Sequence, residues 1–167
     1  MPRPLTVLAA AGVAVFACVM LSGTASSART ATCTLLAAKS EILDSNLPRQ
    51  VKRDAAGQSG TGIDRLICRD FTDDNRKDMV ASVYSTEVGV EAWVLFRSAT
   101  KGWKLAFRRT GLIRAEIQAS GEAITETRPV YREGDKRPCC PTGGLNHTRF
   151  EWRKGKMSKI RAWHTGR

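Results

Sequence analysis

EAWVLFR at residues 91–97 and WKLAFRR at 103–109 stand either side of a short polar segment, and DMVASVY at 78–84 precedes them. From residue 63 onward the apolar period is two, the repeat of a strand with one buried face. Thr100-Lys101-Gly102 supplies the turn of a hairpin between the second and third of these segments. Trp103, Leu105 and Phe107 alternate with Lys104, Ala106 and Arg108, which predicts one face in the core and the other in water.

Outward from this hairpin the pattern continues. Residues 63–69 read as a strand before it. Ile113, Ala115, Ile117 and Ala119 alternate with Arg114, Glu116 and Gln118 after it, up to a Ser120-Gly121 turn. Residues 123–131 carry the alternation on, and 150–153 and 157–163 flank Lys154-Gly155-Lys156 as a final hairpin. Ahead of the strands, 34–47 has Leu35, Leu36, Ile42 and Leu43 near helical spacing, with Pro48 as a stop. Polar, glycine-rich 49–62 reads as a loop. The predicted fold is α+β: an N-terminal helix packed on a mainly antiparallel sheet of about seven to eight short strands, stapled by disulfides.

The 167 residues carry 27 Lys+Arg against 16 Asp+Glu and are 42% hydrophobic. That size suits one domain, and that apolar fraction excludes a disordered chain. It also excludes a polytopic membrane protein and a repeat array. Residues 5–21, LTVLAAAGVAVFACVML, form an uncharged run after Arg3, and residues 22–28 are all small. This order is that of a secretory signal peptide over 1–28, cleaved after Ala28. Residues 29–62 are then the helix and polar linker, and 63–167 the β domain, together one globular unit. The competing readings are an uncleaved anchor helix and lipidation at Cys18 within VFAC. Either way the chain is expected to be secreted or attached to the cell envelope.

Cleavage leaves Cys33, Cys68, Cys139 and Cys140, an even set for an exported chain and hence a disulfide framework. Three pairings are possible. The one expected joins each member of the adjacent pair to a different segment, one near Cys33 and one near Cys68.

Three stretches invite a functional reading. Asp70, Thr72, Asp74 and Asp78 occupy positions 1, 3, 5 and 9 of a calcium-loop template, with hard oxygen donors at alternate places and Asn75 at the turn. Arg76 and Lys77 lie inside the same loop, and Ala81 takes the place of the closing glutamate. The alternative is an acidic turn closed by its own side-chain hydrogen bonds. No other cofactor is expected. The second stretch, 131–144, brackets Cys139-Cys140 between Pro138 and Pro141 and follows it with Gly143-Gly144. It reads as a stapled connection, a presented binding loop or a redox-active pair. The third, 149–167, holds seven Lys or Arg, one acid, Phe150, Trp152 and Trp163. Outside the cell its counterparts would be anionic wall polymers, membrane surfaces or acidic proteins, rather than nucleic acid. Asn146-His147-Thr148 matches a glycan acceptor triplet. No catalytic spacing stands out, although Asp73, Glu91 and His147 are groups from which a hydrolytic site could be built.

DFTDDNRKDMVASVYS, then AWVLFR, GWKLAFRR, ETRPVYREGD, CCPTGG and FEWRKGK, together resemble exported actinobacterial proteins of the LppP/LprE lipoprotein family. The resemblance spans roughly residues 63–163, and Cys139-Cys140-Pro141 with Gly143-Gly144 is its most specific part. In the family pattern two glycines stand where this chain has Asp73 and Asn75. The resemblance implies location and fold and brings no activity with it. The function expected is a non-enzymatic, monomeric binding domain of the envelope or medium. The alternatives are a small secreted inhibitor using the Cys-Cys-Pro loop, and a hydrolase without a recognisable motif.

Overall fold

The computed structural model describes residues 32–136 and 139–166, so the signal peptide and Cys18 lie outside the described residues. Two short helices come first, α1 (Leu35–Asp44) and α2 (Arg49–Ala55). Eight strands follow: β1 (Gly62–Arg69), β2 (Asp78–Ser85), β3 (Gly89–Ala99), β4 (Gly102–Arg109), β5 (Glu116–Ser120), β6 (Ala123–Pro129), β7 (Leu145–Arg153) and β8 (Lys156–Thr165). They do not form one sheet. The order is β1-β2-β3-β4 in one antiparallel sheet and β5-β6-β7-β8 in a second, each an uninterrupted meander.

The expected helix on a single sheet of seven or eight strands is therefore wrong: the fold is mostly β, in three layers. The helices cover one face of the first sheet, and the second sheet covers the other. Met79, Ala81, Val83, Ala92, Val94 and Phe96 pack with Ala38, Ile42, Leu47, Val51 and Ala55 of the helical layer. The intervening Val80, Trp93 and Leu95 pack against Ile117, Ile124, Phe150 and Met157 of the second sheet. β2 and β3 are consequently buried on both faces, which is why DMVASV and AWVLF are almost wholly apolar or small.

The split has a local cause between β4 and β5. Leu112 N–H donates to Glu91 O at 2.8 Å, Arg114 N–H to Val88 O at 2.7 Å and Ala115 N–H to Val90 O at 3.3 Å. These bonds spend the donors of Leu112, Arg114 and Ala115 on the β2–β3 turn and the start of β3, so the predicted strand loses its first half and the chain crosses to the other layer before pairing resumes. The predicted face of β4 is also corrected. Leu95 pairs with Phe107 but Phe96 with Leu105, so Ala106 is bulged out of register. The slip turns Trp103 and Leu105 toward the helices and Phe107 toward the second sheet.

Residues 49–62 are not all loop. Pro48 occupies the N-cap of α2, so it starts a helix rather than only ending one. Val51 and Ala55, four apart, put one stripe on the first sheet. In α1, Thr34 caps the start through its hydroxyl, which accepts from Ala37 N–H at 3.1 Å. Ala38 and Ile42 are its buried residues, whereas Leu35, Leu36 and Leu43 are exposed at 58%, 78% and 37%.

Two disulfides are present, Cys33–Cys68 and Cys139–Cys140. The expected clamp of the adjacent pair onto two segments is incorrect, because Cys33 precedes α1 directly beside β1 and finds Cys68 there. Closing a separation of 35 residues restricts the unfolded chain by about 4 kcal/mol. Such bonds belong to a chain that matures outside the reducing cytoplasm. Among the described residues no helix is long and apolar enough to cross a membrane.

Candidate functional site

The second sheet sets three strands side by side at its β6–β8 end. Register places Thr127 opposite His147 and His147 opposite Trp163; one step along, Arg128 is opposite Asn146 and Asn146 opposite His164. The His147 ring stacks on the Trp163 indole at 4.9 Å with 10° between planes, and the Arg161 guanidinium lies 5.2 Å from the same indole. His147 is fixed at both nitrogens, Nδ1 at 3.0 Å from Thr127 Oγ1 and Nε2 at 2.9 Å from Thr165 Oγ1. His164 Nδ1–H donates to Asn146 Oδ1 at 3.0 Å, which fixes its tautomer because an amide oxygen only accepts.

Arg128, Asn146 and His164 share the face of the sheet that borders a groove, whereas Thr127, His147 and Trp163, one residue along each strand, stand on the opposite face. One depression of about 380 Å³ is bordered by Arg128, Asn146, His147, Lys159, Trp163 and His164. A second of about 230 Å³ is bordered by Arg128, Pro129, Tyr131, Asn146, Gly111 and Ile113. Arg128 and Asn146 border both, so the two adjoin. The charged side chains on this lining, Arg128 and Lys159, are both cationic, and Tyr131 and His164 supply rings beside them.

Arg128 is rooted rather than loose. Its Nε pairs with Glu126 Oε1 at 3.0 Å while 40% of the side chain stays exposed. Glu126 is fully buried and also accepts from Arg109 Nε and NH2, both at 3.0 Å, and from Trp93 Nε1 at 2.8 Å. Burial opposes its ionisation, but Arg109, the Trp93 N–H and Arg128 prevail and hold the carboxyl below the ordinary glutamate range. The core thus contains a carboxylate whose charge orients a cation at the groove.

The acidic turn brings Asp70, Thr72, Asp74 and Asp78 into one loop. Asp70 accepts backbone N–H bonds from Thr72 at 3.2 Å, Asp74 at 3.3 Å and Asn75 at 2.7 Å. Asp78, fully buried, accepts from Phe71 and Thr72 at 2.9 Å and from Ser98 at 3.2 Å. Asp74 accepts from Arg76 NH2 at 2.7 Å, and that hydrogen bond, ahead of opposing burial, lowers its pKa. Asp73 and Asn75 take φ of 57° and 60°. Among the described residues no three His, Cys, Asp or Glu side chains are grouped so as to hold a metal ion.

The remaining candidates are dispersed. Glu91 is 9% exposed and buried beside Asp54 of α2, far in sequence and layer from His147 on β7. Burial first, then a hydrogen bond and repulsion from Asp54, pushes its carboxyl up to about 7. The basic tail becomes the β7–β8 hairpin, with Phe150 and Met157 turned into the core. Asn146 of the glycan triplet is exposed on β7 with its amide oxygen held by His164. Arg128 and Glu126 were not singled out beforehand. Their signal, the alternation in ITETR, marks a strand, but only register shows what faces them. No protein family, curated protein or solved structure matches this chain.

Proposed function

We propose that the protein is an exported, non-catalytic binding domain that takes an anionic polymer of the cell envelope along the groove of β6–β8. One observation carries this reading: two adjoining depressions whose charged side chains, Arg128 and Lys159, are both positive, with the Tyr131 and His164 rings beside them and Arg128 anchored on buried Glu126. Fixed cations and stackable planes suit a chain of acidic or phosphorylated sugars better than a compact substrate. Without Arg3 the exported domain keeps 26 Lys+Arg against 16 Asp+Glu, a net charge of +10 that draws such a polymer toward the surface before contact. The resemblance to LppP/LprE lipoproteins is consistent with the same compartment. In this reading residues 1–28 direct export and are removed, Cys18 with them, so that the domain is released; an intact mass beginning at Arg29 tests that point.

Binding is tested with dextran sulfate against neutral dextran, followed by tryptophan fluorescence. The sulfated polymer should bind, weakening steeply with salt. Arg128→Ala with Lys159→Ala should lower affinity at least tenfold, whereas Lys101→Ala, on the β3–β4 turn, should leave it unchanged. Equal binding of neutral dextran, or equal loss in Lys101→Ala, would overturn the assignment.

A further inference from the structure

Cys139–Cys140 joins neighbours in sequence, so it closes no length of chain. Cys33–Cys68, in contrast, restrains 35 residues, and the folded state resists its reduction to the extent that the bond favours folding. No such reciprocity protects the adjacent pair.

Nor does the surrounding loop depend on it. Asp135 clasps the loop by accepting from Arg132 N–H at 2.7 Å, Thr142 N–H at 3.0 Å and Thr142 Oγ1 at 2.9 Å. At the base, Val130 N–H donates to Gly144 O and Gly143 N–H to Val130 O, both at 2.9 Å. A Cβ on Gly143 would come within 2.6 Å of Val130 Cγ1, so the two sides of the base are in close contact. The loop is held by hydrogen bonds and packing, and both cysteines are exposed on it.

We propose that Cys139–Cys140 is a thiol–disulfide exchange site, which accepts two electrons from a dithiol and returns them to a partner disulfide by the reverse path. This site is independent of the groove reading. A thiolate of the dithiol attacks Cys140 Sγ, the Cys139–Cys140 bond breaks and Cys139 leaves as a thiolate, which takes up a proton. The second thiol of the reductant then attacks its own sulfur in the mixed disulfide, freeing Cys140 as a thiol and closing the reductant into a cyclic disulfide. Two electrons and two protons have moved. Arg114 favours Cys139 as the leaving group, since its NH1 donates to Cys139 O at 2.7 Å and brings positive charge to the residue.

The test is a titration of the native, oxidised protein with dithiothreitol, quenched by alkylation and mapped by peptide mass. Cys139 and Cys140 should be alkylated at a reductant concentration at least tenfold below that needed for Cys33 and Cys68, with the melting temperature unchanged. Opening together with, or after, Cys33–Cys68 would overturn the proposal, as would loss of the fold on opening. Arg114→Gln should slow the opening at least threefold while leaving Cys33–Cys68 and the melting temperature as they were; an unchanged rate would overturn the assignment of Cys139 as the leaving group.

Discussion

Trp93 Nε1 donates to Glu126 Oε2 at 2.8 Å across the boundary between the two sheets, from β3 of one to β6 of the other. The indole is fully buried and meets Phe107 at 5.1 Å and Phe150 at 5.5 Å between ring centroids. An apolar contact and a charged network therefore meet in one side chain. Removing the carboxylate strands the Trp93 N–H in a buried place, while Arg109 and Arg128, 34% and 40% exposed, keep access to water. Glu126→Ala should cost about 2–3 kcal/mol, chiefly from the unsatisfied Trp93 N–H and the lost charge-assisted hydrogen bonds. Glu126→Gln, which keeps one acceptor, should cost less. Urea denaturation of both variants measures the difference, and a cost below about 1 kcal/mol for the alanine would mean the network adds little to sheet association.

Glu91 makes stability depend on pH in the opposite direction from Glu126. Its folded pKa of about 7 lies above its ordinary 4.5, so the folded state holds a proton that the unfolded chain releases. The stability associated with that proton is complete below about pH 4.5 and is lost as pH rises to 7. The shift corresponds to a loss on the order of 3 kcal/mol. Glu126, with its pKa lowered, contributes stability that is present above 4.5 and lost as pH falls through its folded value. The melting temperature should peak on the acid side of neutrality, between these windows. Glu91→Gln should flatten the alkaline side of the curve and raise stability at pH 8 by roughly 1–2 kcal/mol. A wild-type curve flat from pH 5 to 8 would refute the argument.

The strands were readable because short apolar or alternating runs stand between turn residues, although β2 and β3 are apolar on both faces, and the hairpin about residues 98–102 is where TKG predicts it. Their division into two sheets was not. Alternation within 113–119 is the same whether the segment pairs with β4 or leaves it, and the decision rests on backbone donors reaching Val88, Val90 and Glu91. Helix α2 was hidden because Arg49, Gln50, Lys52 and Arg53 swamp the two apolar residues that face the sheet. The site was half visible. The basic and aromatic content of 149–167 marked the right hairpin, but Arg128 joins it only through its register with Asn146. Cysteine pairing is a matter of proximity in space, and no spacing rule states that Cys33 lies beside β1.

The two disulfides should differ in what they contribute. Cys33→Ser with Cys68→Ser frees the unfolded chain across 35 residues and should cost about 4 kcal/mol. Cys139→Ser with Cys140→Ser frees almost none and should change stability by less than about 0.5 kcal/mol. Thermal or urea unfolding of the two double variants makes the comparison directly.

In the acidic turn, the backbone N–H groups of Thr72, Asp74 and Asn75 point at Asp70 and those of Phe71, Thr72 and Ser98 at Asp78. If these donors suffice, calcium or a chelator at about 1 mM should leave the melting temperature where it is. A rise with calcium would follow from binding to the folded state alone and would mean that Asp70, Thr72, Asp74 and Asp78 turn their oxygens to the ion.

Gly144 and Gly102 separate two reasons for needing glycine. Both have positive φ, 83° and 92°, so alanine at either meets the same backbone penalty of about 1 kcal/mol. At Gly102 an added Cβ meets nothing within 4 Å. At Gly144 it would run into the Thr165 carbonyl and come to 3.2 Å from His164 Cε1. Gly144→Ala should therefore cost roughly 2–4 kcal/mol against about 1 kcal/mol for Gly102→Ala. The displacement falls on the end of β8, where Thr165 Oγ1 holds His147 Nε2 at 2.9 Å. Sulfated dextran binding should weaken in Gly144→Ala and not in Gly102→Ala. Equal stability losses in the two variants would show that the close approach of 144 to β8 is of no consequence.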